Sequence, residues 1–145
     1  MPNHYDPSMY AHTGCMVLKI VEFESTTGDS DNTVYILYDV KTKDFIVRGQ
    51  RNRSYKTVFE PYSFYCKDIT TLLDFVSLSI CKDNRISYTL YNCTDLPYLS
   101  DDITFDSLEC SCYKANEITG YDNMPHSRKT MKKYVYIVKN MFNSY

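Results

Sequence analysis

Apolar and polar residues alternate in short runs along much of this 145-residue chain. In residues 33–40, for example, Val34, Ile36 and Tyr38 would face one way and the residues between them the other. A period of two is typical of a strand, because successive side chains of a strand point to opposite faces. The pattern predicts strands at residues 16–25, 33–40, 45–49, 57–66 and 85–92.

Polar connections separate these predicted strands. Residues 41–44, Lys-Thr-Lys-Asp, join two strands with four residues, which predicts a β-hairpin. Gly49 ends the next strand and opens a basic loop. Pro61 would force a bend or an edge position, because proline has no N–H to donate to a sheet.

One segment has a clear helical period. Asp68 is a suitable N-cap, and the apolar residues that follow it recur every three or four positions. The sequence therefore predicts a core-facing helix at about 68–80. Its apolar stripe comprises Ile69, Leu72, Leu73, Val76 and Ile80.

Two later segments fit both a helix and a strand. Ser100 and the acids after it could start a helix that runs through Leu108, whereas alternation at Leu108, Cys110 and Cys112 favours a strand. Residues 130–142 have an apolar helical face, but the run Tyr-Val-Tyr-Ile-Val within them has strong β propensity. For residues 130–142 a strand is the preferred interpretation.

The predicted fold class is α+β, a mostly antiparallel sheet with one helix, at about 68–80, packed on it. Residues 1–14 show no periodicity and are interpreted as a loose N-terminal arm. Residues 15–145 are interpreted as a single domain, since domains commonly have about 100–200 residues.

The two segments 63–80 and 85–98, SFYCKDITTLLDFVSLSI and RISYTLYNCTDLPY, carry a resemblance. Over residues 33–110 the chain resembles small uncharacterised proteins of giant DNA viruses, the mimivirus-like group. The shared features are an aromatic strand, a short helix and a strand rich in Tyr and Asn that ends in Asp-Leu-Pro. The resemblance implies a viral context, in the host cytoplasm or the virion, and no particular activity.

Charge is segregated along the chain, although the net charge is only −2. Residues 41–67 hold seven basic residues against two acids, and residues 124–145 hold five basic residues and no acid. Residues 1–40 and 94–123 are correspondingly acidic. A net charge near zero provides no global attraction to nucleic acid, so any such binding would need a local basic surface.

The stretch RGQRNRSYK at 48–56 is the sharpest candidate for that surface. Basic side chains can bind phosphates, and a neighbouring aromatic ring can stack on an unpaired base. A solvated turn is the more common role of such a run. The candidate nucleic-acid or partner-binding residues are Arg48, Arg51, Arg53, Tyr55 and Lys56. The basic residues that could extend the patch are Arg128, Lys129, Lys132 and Lys133.

Catalytic, cofactor and metal sites are not predicted. The spacing of Cys93, Cys110, Cys112 and His126 fits no established zinc pattern, and in a strand the last two cysteines would share one face and pack in the core. Apart from His126, the histidines lie in the predicted arm, which leaves little for cysteine–histidine catalysis. The four glycines are too dispersed for a phosphate-binding loop. Whether the protein is an enzyme stays open, with a non-enzymatic role preferred.

The expected function is a non-enzymatic protein-interaction or structural module that binds a protein partner or itself through an exposed strand edge. Its 15 tyrosines support this, because tyrosine is enriched at contact surfaces. The alternative is a nucleic-acid-binding accessory protein that uses the 48–56 loop. No leader or membrane-spanning run is visible in the sequence, so an intracellular protein with reduced cysteines and no membrane partner is expected.

Overall fold

The computed structural model describes residues 15–23, 30–39, 41–53, 58–80, 84–93, 103–125 and 127–143. Within these residues the backbone forms six strands and three helices. They are β1 Cys15–Phe23, β2 Ser30–Tyr38, β3 Phe45–Arg53, β4 Val58–Cys66, α1 Ile69–Ser79, β5 Arg85–Cys93, α2 Phe105–Lys114, β6 Asn116–Pro125 and α3 Arg128–Asn143.

The strands form one sheet in the order β4-β3-β2-β1-β5-β6. Every neighbouring pair is antiparallel. The first four strands follow one another as a meander, and α1 carries the chain from one edge back to β5, which pairs with β1. The predicted α+β class with a mostly antiparallel sheet is confirmed.

Helices cover both faces of this sheet. On one face, Tyr88 of β5 stacks on Tyr134 of α3, and Phe64 of β4 contacts Phe75 of α1. We call this the helix-pair face. On the other face, the ring of Tyr35 meets Phe105 of α2 at 5.2 Å between centroids. We call this the α2 face.

Two covered faces explain why β2 is apolar on both sides. Val34 and Ile36 point to the helix-pair face, while Tyr35 and Leu37 point to the α2 face, and all four are buried. Burial of apolar surface is the main favourable term in folding. The central strands therefore form the core of the molecule together with the inner sides of α1, α2 and α3.

The predicted helix at 68–80 is confirmed as α1. The Asp68 Oδ1 atom accepts a hydrogen bond from the backbone N–H of Thr71 at 2.7 Å, as expected of an N-cap. Leu72, Leu73 and Val76 are buried against the sheet. The apolar stripe and the cap thus identified this element correctly.

The strand preferred at 130–142 is wrong, because these residues belong to α3. Met131, Tyr134, Val135 and Val138 are fully buried, and their spacing places them on one helical stripe. Burial of that stripe outweighs the β propensity of the Tyr-Val-Tyr-Ile-Val run, since propensity is only a weak prior.

The other ambiguous segment is also helical. Helix α2 begins after Thr104, whose Oγ1 accepts from the Ser107 N–H while the Ser107 hydroxyl accepts from the Thr104 N–H. This reciprocal cap is the signal at which α2 begins. Ser100, the residue at which the sequence could start a helix, lies outside the described residues. Strand β6 was not predicted from the sequence. It is a mostly polar edge strand whose pairing with β5 is interrupted at two points.

Two further expectations concern the ends of elements. The segment predicted to loop out from Gly49 continues instead as part of β3 as far as Arg53. The predicted arm at 1–14 lies outside the described residues. In the part of the chain that the structure describes, no helix is long and apolar enough to cross a membrane.

Candidate functional site

Arg48 lies in β3 with its side chain on the α2 face and is only 6% exposed. Its Nε donates to the carbonyl of Ile103 at 2.9 Å, and its Nη1 donates to the carbonyl of Val47 at 3.0 Å. Its guanidinium also lies 5.3 Å from the ring centroid of Tyr65. These contacts fasten the segment before α2 to the sheet, so Arg48 has a structural task that leaves little of it available to a partner.

Arg51 points to the opposite face of the sheet. Its Nη2 donates to the carbonyl of Ser79 at the end of α1, and the same atom lies 3.8 Å from Oε1 of Glu22. Glu22 is 1% exposed, and its Oε2 accepts from Nδ2 of Asn84 at 2.7 Å. Arg51 therefore compensates a buried carboxylate, which is costly to bury without a partner.

A tyrosine closes this polar cluster over the sheet. The Tyr62 hydroxyl donates to Oδ1 of Asn32 at 3.1 Å, and burial raises the pKa of Tyr62 to about 12. The phenol therefore stays neutral at physiological pH and keeps its proton to donate. Its ring covers Gly49, where a Cβ would collide with the ring carbons.

The five candidate residues of the basic stretch are thus not brought together as one surface in the described residues. Arg48 and Arg51 lie on opposite faces and are engaged in internal contacts. Arg53 is the last residue of β3, and its side chain lies outside the described part, as do Tyr55 and Lys56. The expectation of a loop at 48–53 is wrong, and a binding role of the five candidate residues stays a prediction.

A second basic surface lies on α3, which carries five basic residues and no acid. Its buried stripe faces β1, β2, β5 and α1, so the basic residues occupy the outer side. Four of the basic residues are exposed, namely Arg128, Lys129, Lys132 and Lys133, and the fifth, Lys139, is half-buried. Tyr136 lies among them and is 39% exposed. We call these six residues the α3 basic face.

Aromatic rings support the lysines of the α3 basic face. The Nζ atom of Lys132 lies 5.7 Å from the ring centroid of Tyr136, and that of Lys139 lies 5.8 Å from Tyr38. Contacts of this kind are worth about 0.5–1 kcal/mol at exposed sites. They hold the ammonium groups near the protein surface without neutralising their charge.

Among the described residues, few carboxylates lie within ion-pair distance of this surface. Arg128 pairs with Asp74 of α1 at 2.6 Å, and both side chains are about half exposed. Among the described residues, none of the four lysines of α3 has a carboxylate within ion-pair distance. The α3 basic face therefore retains most of its positive charge for an outside partner.

In the part of the chain that the structure describes, two clefts open on the α2 face. The larger, about 630 Å³, lies beside α2 and is lined among others by Lys19, Tyr91, Glu109, Cys110 and Cys112. The smaller, about 450 Å³, is lined among others by Arg48, Gln50, Ser63 and Asp106. Both mix charged, polar and apolar groups, so neither identifies a substrate by itself.

The paired cysteines lie on a helix and not on a strand. Residues two apart in a helix point to different sides, and Cys110 is indeed exposed while Cys112 is buried, so the predicted shared core face is wrong. The Cys112 Sγ atom lies 3.7 Å from Sγ of Cys93. His126 lies outside the described residues, among which no group of three or more potential ligands is placed to hold a metal ion.

The α3 basic face is the strongest candidate site. Four of its residues were predicted from the sequence as a possible extension of the basic stretch, in a segment that was interpreted as a strand. The spacing of Lys129, Lys132, Lys133 and Tyr136 is the signal that could have revealed one helical stripe. No protein-family model matches this chain, and neither does any curated protein or solved structure.

Proposed function

We propose that this protein is an interaction module that binds single-stranded nucleic acid on the α3 basic face. The observation that supports this most directly is a row of lysines on one side of a helix that contains no acid. From Lys129 to Lys139 the row extends over roughly 15 Å, at 1.5 Å per helical residue. It offers several phosphate contacts in succession.

The side-chain types favour a nucleic acid over a protein partner. Lysine is depleted at protein interfaces, whereas lysine–phosphate contacts account for most non-specific nucleic-acid binding. Tyr136 adds an exposed ring among the lysines. A base stacked on such a ring contributes about 1–3 kcal/mol.

The same ring favours a single strand over a duplex. Bases in a duplex are stacked on one another, and only a single strand has free base faces for Tyr136. Helix α3 also packs on the sheet, and its inner side is fully buried. It therefore presents a shallow surface on which a flexible strand can lie.

Binding to a fluorescent oligothymidine at increasing salt tests this proposal. Four lysine–phosphate contacts predict a log–log slope of about −3, at about 0.7 per contact for a single strand. The double variant Lys129→Gln/Lys132→Gln should bind more weakly with a slope of about −1.5. The matched control Lys67→Gln/Lys114→Gln removes the same charge from exposed positions outside α3 and should keep the wild-type slope.

Equal losses of affinity in the two double variants would show that binding depends only on the net charge of the protein, and would contradict a site on α3. A salt-independent affinity, or no binding by the wild type, would contradict the proposal altogether.

The resemblance to giant-virus proteins suggests the virion or an infected cytoplasm as the setting. That setting stays a prediction.

Self-association through a strand edge is the second candidate function, and one observation favours a particular edge. Strand β6 is interrupted in its pairing with β5 and carries the exposed acids Glu117 and Asp122, features that discourage edge pairing. Strand β4, at the other edge, pairs with β3 without interruption, and after Glu60 and Pro61 it has no charged residue from Tyr62 to Cys66. We infer that a second copy would pair along β4.

Sedimentation velocity over a range of protein concentrations tests this second candidate. Ser63 is exposed on β4, and a lysine on an edge strand opposes pairing. Ser63→Lys should shift the protein towards monomer, whereas Asp122→Lys on the other edge should not. A monomeric wild type at all concentrations, or equal effects of both variants, would refute pairing along β4.

A further inference from the structure

Two buried thiols from different elements are in contact on the α2 face. Cys93 is the last residue of β5, and Cys112 lies near the end of α2. Their Sγ atoms are 3.7 Å apart, and both side chains are at most 3% exposed. Neither cysteine is in a disulfide.

The larger cleft gives access to one of these thiols. Cys112 lines this space of about 630 Å³, whereas Cys93 is not among its lining residues. The same cleft is also lined by four charged residues, Lys19, Lys114, Glu109 and Glu117. The cleft thus presents both ammonium and carboxylate groups, which suits a small zwitterionic molecule such as a peptide.

We propose that Cys112 and Cys93 form a redox-active dithiol that exchanges with a small peptide disulfide bound in this cleft. Cys112 is the attacking thiol, because it faces the cleft. Cys93 is the resolving thiol, because it lies in contact with Cys112 behind the cleft wall. The site lies on the opposite face of the sheet from α3, so it is independent of the proposed nucleic-acid binding.

The exchange proceeds in two balanced steps. In the first, the Cys112 thiolate attacks one sulfur of the incoming disulfide, whose S–S bond breaks to release one small thiol and leave a mixed disulfide. In the second, the Cys93 thiolate attacks Sγ of Cys112 and displaces the other small thiol. The protein dithiol loses two electrons and two protons, and the incoming disulfide gains them as two thiols.

The two thiols are close enough for a disulfide after a small movement. A disulfide needs its sulfur atoms about 2.05 Å apart, so Cys93 and Cys112 must approach by roughly 1.7 Å. The bond would tie β5 to α2 and close the chain between them. A closed loop of this kind stabilises the folded state, chiefly by restricting the unfolded chain.

Incubation of the folded protein with oxidised glutathione at about pH 8, where cysteine thiolates form, tests the proposal. After alkylation of the remaining thiols and digestion, mass spectrometry should find a Cys93–Cys112 link and no retained glutathione on these residues. Cys93→Ser should retain glutathione on Cys112, because the resolving thiol is gone. Cys66→Ser, which removes a buried thiol from β4, should form the link as the wild type does.

The link should also raise the melting temperature of the wild type by several degrees and leave that of Cys93→Ser unchanged. The disulfide map of the wild type requires no variant, so it tests the proposal even if Cys93→Ser fails to fold. Cys93 and Cys112 that remain open to alkylation would overturn the proposal. So would a link no more frequent than the pairings formed in denaturant, or glutathione attached only to exposed Cys110.

Discussion

Tyr134 of α3 stacks on Tyr88 of β5 with ring centroids 6.0 Å apart and ring planes within 10° of each other. Both residues are completely buried, and the Tyr88 hydroxyl also donates to the carbonyl of Ser127 just before α3. The pair therefore fixes the beginning and the middle of α3 on the helix-pair face. The orientation of the α3 basic face depends on this contact.

The two tyrosines of α3, Tyr134 and Tyr136, should have opposite roles. Tyr134→Ala should lower the free energy of unfolding by about 3–5 kcal/mol, as expected when a large buried aromatic side chain is removed. Urea denaturation followed by circular dichroism measures this loss. A loss below about 1 kcal/mol would contradict the burial of Tyr134.

Tyr136→Ala is the matched variant on the exposed side. It should lower stability by no more than about 1 kcal/mol, because it removes only a surface contact with Lys132. It should weaken binding to oligothymidine by about 1–3 kcal/mol, the value of one stacked base. Unchanged affinity would exclude Tyr136 from the binding surface.

Removal of Arg51 should lower the stability of the fold, because the buried Glu22 carboxylate loses a counter-ion. Breaking a buried ion pair on one side typically costs about 3–5 kcal/mol, and the low end applies because the Arg51 side chain is 35% exposed. Arg51→Met should therefore lower the free energy of unfolding by about 3 kcal/mol. Arg51→Met/Glu22→Gln should recover part of that loss, and a double variant less stable than the single one would contradict the coupling.

A methyl group at position 49 should disturb the polar cluster. The Tyr62 ring covers Gly49 and also contacts Phe64 and Phe75, so the ring has little room to move away. Gly49→Ala should cost about 1–3 kcal/mol, the usual penalty of overpacking. In Tyr62→Leu, which removes the colliding ring atoms, the same substitution should cost less, and equal costs in both backgrounds would argue against the collision.

The cap of α1 should make stability depend on acid pH. Hydrogen bonds from Thr71, first from its backbone N–H, hold the pKa of Asp68 below its usual value. A group with a lowered folded-state pKa contributes stability above its unfolded pKa of about 3.9, and loses that contribution as the pH falls through the folded-state pKa. Asp68→Asn keeps a capping side chain but does not titrate.

Thermal unfolding between about pH 6 and pH 2 checks this prediction. The wild type and Asp68→Asn should become more alike as the pH falls below the unfolded pKa of an aspartate. If the stability of the two proteins falls in parallel over the whole range, Asp68 does not contribute in this way.

Part of this structure was predictable because local signals agreed with the tertiary environment. At α1, the Asp68 cap and the apolar stripe both indicate a helix, and the sheet buries that same stripe. At residues 134–138 the local β propensity and the helical stripe disagree, and only the packing against β1, β2 and β5 decides between them. Long-range burial of this kind cannot be seen in a propensity.

The candidate site was harder to predict for a related reason. The sequence shows that Arg48 and Arg51 are close together, but not that β3 continues past Gly49 and sends them to opposite faces. Arg51 has its counter-ion in β1, and Arg48 has its acceptor at Ile103, both far away along the chain. Charge in a sequence therefore identified basic residues without distinguishing those that stabilise the fold from those left exposed.

The most direct test of the central claim is a map of amide chemical-shift changes in the ¹⁵N-labelled protein as oligothymidine is added. Binding on the α3 basic face predicts the largest changes along residues 129–140, with little change in α2 on the opposite face of the sheet. Changes confined to residues 48–56 would instead support the basic stretch predicted from sequence. An unchanged spectrum at saturating oligonucleotide would contradict nucleic-acid binding by this protein.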